Sequence, residues 1–298
     1  MSKAPRQGFP GRHTRWAQAA GNCRPRVVVG ADASRWGRIA LRWAAEHAWL
    51  AGAELAVYAA PIDSANAESG YDVGAILRGF PLLPVQVRIS RDSTVDLLHA
   101  SRRADLLVLG CRGSDHVGLG LGATVTPVAA GASCDVMVVG GHPAAVRGAH
   151  HQIAVLVGME DDEAALDSAA RLAALRRVPL RILIAAPMMG PHPLREAVDG
   201  QLVRLDEAEA LVHEIEPAVV SGTDLIRASP HEVVTTGGGA DVLVIGVVNR
   251  LDAVTRMALH HAPNPVLLAR GSSQPRSGQP AVTYGVERTT RTAGELHS

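Results

Sequence analysis

The sequence predicts an α/β protein built from two doubly wound, five-stranded parallel-sheet units in tandem. Three observations predict it. The chain has 298 residues, about twice a typical domain of ~100–150 residues. Short aliphatic runs alternate with amphipathic stretches along it. The same series of runs then occurs a second time.

The first unit opens with Arg26-Val27-Val28-Val29-Gly30 and the second with Ile153-Ala154-Val155-Leu156-Val157-Gly158. Two positions after each glycine stands an acidic residue, Asp32 or Glu160. A helical stretch follows, with apolar positions near i, i+3, i+4 and i+7. Trp36, Ile39, Ala40, Trp43 and His47 form that stripe in the first unit, and Ala165, Leu166, Ala169 and Leu172 in the second. Second strands are expected over 54–60 and 180–186, closed by Pro61 and Pro187, and third strands over 85–89 and 218–220. Fourth strands over 105–110 and 241–246 match almost residue for residue, and fifth strands are expected over 135–139 and 265–268. Strands this continuously aliphatic belong to parallel sheets covered on both faces, because only a strand buried on both sides lacks polar alternation.

The units differ in their second helix. A long one is expected over 194–213, whereas Gly70, Gly74 and Gly79 crowd the short space between Pro61 and Pro84 and weaken any helix there. The domain expectation is 25–142 and 152–270, divided near 141–152, where Gly, Pro and His interrupt the pattern. The ends, 1–24 and 271–298, lack apolar periodicity and are expected to be disordered.

Composition narrows the function. Apolar residues are 47% and charged residues 19%, which is globular composition, and aromatics are only 3%, so the cores must be aliphatic. Twenty-nine basic and 29 acidic residues cancel, leaving no global field to draw the chain onto a phosphate backbone, so nucleic acid is not expected as a partner. No apolar run approaches the ~20 residues that cross a bilayer, and the basic, Gly- and Pro-containing start is unlike a signal peptide. A cytoplasmic protein without membrane contact is the expectation. Cys23, Cys111 and Cys134 have neither disulfide-framework nor zinc-site spacing and are read as reduced thiols.

Chemistry concentrates after the fourth strand of the first unit. The loop Gly110-Cys111-Arg112-Gly113-Ser114-Asp115-His116-Val117-Gly118-Leu119-Gly120-Leu121-Gly122-Ala123-Thr124-Val125-Thr126 is glycine-rich and leads into a helix. Glycines let backbone amides turn toward an anion, and a helix N-terminus adds donors and a favourable dipole. In open α/β sheets ligands sit at the carboxyl ends of the strands, where strand order reverses. Thr124 and Thr126 would add hydroxyl donors, and Arg112 is either a phosphate partner or a solvated charge. Composition alone leaves a mere packing turn as an equal alternative.

This loop resembles the ATP-binding signature of universal stress proteins, Gly-x2-Gly-x9-Gly-[Ser/Thr], with Gly110, Gly113 and Thr124 in register and Ala123 where the last Gly is expected. Taking Gly122 as that Gly shortens the spacer by one. The resemblance covers residues 25–270, including the His260-His261-Ala262-Pro263-Asn264-Pro265-Val266 ending. It implies an ATP-binding stress-response switch, with Mg²⁺ carried by the phosphates, homodimer formation and an unidentified protein partner. It places Asp32 beside the nucleotide and gives the backbone at the end of the second strand, near Val57 and Tyr58, contacts to adenine. The cofactor-binding candidates are therefore Asp32, Val57, Gly110, Arg112, Gly113, Gly122, Ala123, Thr124, Val125 and Thr126.

The second unit is expected to bind no nucleotide. Its loop, read from Gly246 to Pro265, is six residues shorter than that from Gly110 to Asp135, and Val247-Val248-Asn249-Arg250-Leu251-Asp252 contains no glycine. Neither a Gly-Lys-[Ser/Thr] element nor a nucleophile elbow occurs, so any ATP hydrolysis is expected to be slow. The alternatives are an interaction protein with both loops inactive, and a slow ATPase. Trp36, Trp43 and Trp49 on the first helix read as core or interface. Asp161, Asp162 and Glu163 read as favourable charge at a helix start rather than as metal ligands.

Overall fold

The computed structural model describes residues 24–60, 73–112, 120–186, 195–248 and 250–271. The expectations for the two chain ends, for residues 61–72 and for Gly113 lie outside these. The first half runs β1 (Arg26–Ala31), α1 (Arg35–Ala51), β2 (Glu54–Ala59), α2 (Val73–Leu77), β3 (Val85–Ile89), α3 (Ser93–Ser101), β4 (Leu106–Gly110), α4 (Val125–Gly131) and β5 (Asp135–Val139). A short helix, α5 (Pro143–Val146), lies in the connection. The second half runs β6 (Ile153–Val157), α6 (Asp162–Arg176), β7 (Leu180–Ala185), α7 (Arg195–Ile215), β8 (Ser221–Ile226), α8 (Pro230–Thr236), β9 (Val242–Gly246), α9 (Ala253–His261) and β10 (Val266–Ala269).

Local chemistry sets the helix limits. Ser34 caps α1 by accepting from the Gly37 amide, and Gly52 ends it in the left-handed region at φ 63°, where the absence of a Cβ removes the steric cost. Asp161 caps α6, with Asp162 and Glu163 in its first turn, as the helix dipole favours. Among the described residues between Pro61 and Pro84 the helix is the five-residue α2, against 21 residues in α7. The third strand of the second half begins at Ser221, not at residue 218. Its sequence, Ser-Gly-Thr-Asp-Leu-Ile, gave no aliphatic signal because an edge strand is covered by fewer neighbours.

The described strands form one sheet of ten, ordered β3-β2-β1-β4-β5-β10-β9-β6-β7-β8. All pairs are parallel except β5 with β10, whose register is Val138 to Val266, Met137 to Leu267 and Val136 to Leu268. Successive side chains enter opposite faces. Val27 and Val29 join the core under α1, α6 and α7, while Val28 joins that under α3, α4, α8 and α9. Each fully buried aliphatic side chain contributes roughly 1.5–3 kcal/mol.

The β5 and β10 edges cover each other, so the sheet ends at β3 and β8. Below the junction Trp43 stacks on His47 with ring centroids 5.2 Å apart, and the Arg176 guanidinium of the other half lies 4.7 Å from the Trp43 ring centre. Asp135, at the start of β5, accepts from the Ser168 hydroxyl at 2.6 Å and the Arg270 amide at 2.8 Å, both in the second half.

Candidate functional site

In the first half the strand order reverses between β1 and β4, which opens a crevice at their carboxyl ends. A cavity of about 90 Å³ lies there, lined by Gly30, Ala31, Asp32, Gly37, Ala60, Ser93, Leu97, Leu109, Gly110, Arg112, Gly122, Ala123, Thr124 and Val125. At about 30 Å³ per liquid water it has room for roughly three waters, enough for one phosphoryl group. The floor is a close contact of backbones. A Cβ on Gly110 would stand 2.7 Å from the Trp36 carbonyl carbon and oxygen, so only glycine lets α1 start this near to β4. A Cβ on Gly37 would lie 2.1 Å from an Asp32 carboxylate oxygen.

Asp32 is held by its neighbour. The Ser34 hydroxyl and amide both donate to Asp32 Oδ1. The same hydroxyl reaches the Arg112 carbonyl at 3.2 Å, tying the loop after β4 to the start of α1. Arg112 Nε donates to the Gly120 carbonyl at 3.2 Å. Across the cavity Thr124 stands at the N-cap of α4, and its side chain makes no capping bond. Among the described residues the amides of Ala123, Thr124 and Thr126 donate to no acceptor, leaving donors at the positive end of a helix.

Seven of the expected residues, Asp32, Gly110, Arg112, Gly122, Ala123, Thr124 and Val125, thus line one cavity. Two do not. The Val57 side chain is fully buried in the core under α1, two residues before the end of β2, and is not part of the cavity lining. Ala60, at the carboxyl end of β2, borders the cavity instead. The Thr126 side chain is exposed on α4 and outside the lining. Sequence reasoning passed over Ser34, although a Ser before an amphipathic stretch is a helix-start signal. Cys111 is 8% exposed, and burial pushes its thiol up to about 11, so it carries no thiolate at neutral pH.

The matching place in the second half carries different side chains. From Gly246 to its β10 partner Ala269 the chain has six fewer residues than from Gly110 to its β5 partner Val139. Counting back from Leu267, paired with Met137, Val254 takes the position of Thr124 and Asp252 that of Gly122. Val254 and Leu251 are buried. The Asp252 carboxylate accepts the Thr255 amide at 2.6 Å, so the anion at this helix start is the chain's own. Among the described residues no group of three His, Cys, Asp or Glu side chains is placed to hold a metal ion. No described helix is long and apolar enough to cross a membrane.

No protein-family model and no curated protein matches the chain. Solved structures do. A universal stress protein from Archaeoglobus fulgidus DSM 4304 is similar at TM-score 0.59 and 14% identity, over 82% of this chain and 96% of that one. The cytoplasmic domain of a prokaryotic cation chloride cotransporter is similar at TM-score 0.56 and 14% identity, over 85% of this chain and 98% of that one. A functionally unknown protein from Pseudomonas aeruginosa PAO1 is similar at TM-score 0.54 and 13% identity, over 87% and 95%. The chain therefore has the α/β fold of a universal stress protein across both halves.

Proposed function

We propose that the protein belongs with the universal stress proteins and binds one adenine nucleotide per chain in its first half, with occupancy altering its association with a protein partner. The observation that carries this reading is the asymmetry between the halves. One places free amides, Thr124 and Arg112 around a cavity, and the other places Val254 and a carboxylate there. The cavity holds a phosphoryl group, and the rest of the nucleotide lies across its mouth. A carboxylate beside phosphates has to accept hydrogen bonds, so Asp32 faces a ribose hydroxyl or, for ATP, stands near a phosphate-borne Mg²⁺.

Two domains, 25–142 and 152–270, a cytoplasmic location and a homodimer belong to the same reading. With β5 and β10 joined, the free edges among the described strands are β3 and β8, where a homodimer would pair strands. Equilibrium dialysis with labelled ATP tests the site. Saturation at one nucleotide per chain, lost in Asp32→Ala, is expected, and two equivalent sites refute the asymmetry. The small cavity volume favours a second reading, an interaction protein that binds no nucleotide. An unchanged melting temperature with ATP, ADP and AMP selects it.

A further inference from the structure

A larger cavity, of about 270 Å³, lies where the halves meet. Its walls include the buried side chains of Val138, Leu259 and Val266, and Trp36, Arg112 and His260 also border it. The volume equals roughly nine liquid waters, enough for a small organic ligand.

The junction itself indicates what fits. The β5–β10 pairing is symmetric about Met137 and Leu267, so each place on one side has a counterpart on the other. The helix ends match as well, since the Ala132 amide closes α4 on the Val128 carbonyl and the Ala262 amide closes α9 on the Ala258 carbonyl. Counting from these anchors, Arg270 is the counterpart of Gly140, and Ala129 and Ala130 are the counterparts of Leu259 and His260.

On its own side the Arg270 guanidinium donates to the carbonyls of Ala129 and Ala130 at the end of α4, the second at 3.3 Å, and to that of Val248 at 3.4 Å. On the other side Gly140 has no side chain to send. Among the described residues the Leu259 and His260 carbonyls accept no hydrogen bond, and Pro263, four residues after Leu259, has no N–H to give. Two acceptors at the negative end of a helix therefore stand beside a cavity whose counterpart is occupied by a guanidinium. Trp36 adds an aromatic wall, and its ring already has the Arg35 guanidinium 5.6 Å from its centre.

We propose that this cavity binds an alkylguanidinium cation, which takes the place that Arg270 fills on the opposite side. The planar fork donates to the Leu259 and His260 carbonyls, and the alkyl stem lies on the aliphatic wall. The competing chemistry is an anion held by Arg112 and His260.

Calorimetric titration of the full chain without nucleotide separates the two, independently of the ATP site. Butylguanidinium is expected to bind at one site per chain, about fivefold more weakly in Trp36→Leu and more tightly in His260→Glu. Arg270→Ala opens the counterpart and is expected to raise the stoichiometry to two. The proposal is overturned if butylguanidinium gives no saturable heat, if its affinity ignores both Trp36→Leu and His260→Glu, or if benzoate binds in its place and is lost in His260→Glu.

Discussion

The junction contains two groups, buried His47 and partly buried Asp135, that titrate in opposite directions, and their cancellation is open to measurement. His47 is stacked on Trp43 with Nδ1 unpartnered. Burial, aided by the Arg176 charge, lowers it from 6.5 to about 3. The folded state resists protonation here, so stability is lost as pH falls from 6.5 toward 3, at about 1.4 kcal/mol per pH unit. Asp135 is raised by burial from 3.8 to about 6, against the lowering effect of its bonds from Ser168 and Arg270. Its folded state holds a proton more tightly than the unfolded chain. The stability it contributes is complete below 3.8 and disappears as pH rises through 6, at the same slope. At pH 4 the two effects are about 3 kcal/mol each and opposed.

Urea unfolding followed by circular dichroism between pH 4 and 7.5 should therefore show little net change from this pair in the unaltered protein. Asp135→Asn unmasks the His47 loss, about 3 kcal/mol across the range, and His47→Phe unmasks the Asp135 gain toward acid. The slopes are the diagnostic quantity, because each substitution also changes the absolute level. If the Asp135→Asn and unaltered curves run parallel, the carboxylate is not titrating where its burial places it, and the reasoning fails.

Three further outcomes follow from the packing. Gly110→Ala and Gly246→Ala form a matched pair, since each Cβ would strike helix backbone, at 2.7 Å from Trp36 and 2.0 Å from Asp161. Each should cost about 1–3 kcal/mol in chemical denaturation, yet only Gly110→Ala should weaken ATP binding. Met137→Ala, at the fully buried centre of the β5–β10 junction, should cost roughly 2–5 kcal/mol, and independent melting of the two halves before the substitution would contradict a shared core. Cys111, raised from 9.0 to about 11, should react with iodoacetamide at pH 7.5 about a hundredfold more slowly than in the urea-unfolded chain, its thiolate fraction being smaller by that factor; peptide mapping follows it.

The aliphatic runs at Val27–Val29 and Leu243–Ile245 made their strands legible, because a central strand buried on both faces has no polar position to blur it. The third strand of the second half was misplaced for the converse reason, as its edge position leaves Gly222, Thr223 and Asp224 without the burial that would select apolar residues. Most of the candidate cavity was also written locally, as glycines, an acidic residue and a threonine around two strand ends. Ala60 was not, since which residue at the end of β2 borders the cavity depends on how β2 lies beside β1.

By itself the sequence determined the order of elements, the parallel sheets and the inequality of the two loops, all of which are set by spacing and side-chain size within short segments. Only the tertiary structure decided that the halves share one sheet through antiparallel β5 and β10. It alone brings His47, Asp135 and Arg176 together beneath that seam and leaves Gly140 facing a gap that Arg270 fills on the other side. Contacts between residues more than a hundred positions apart depend on which faces remain uncovered after each half has formed, and no local pattern encodes that.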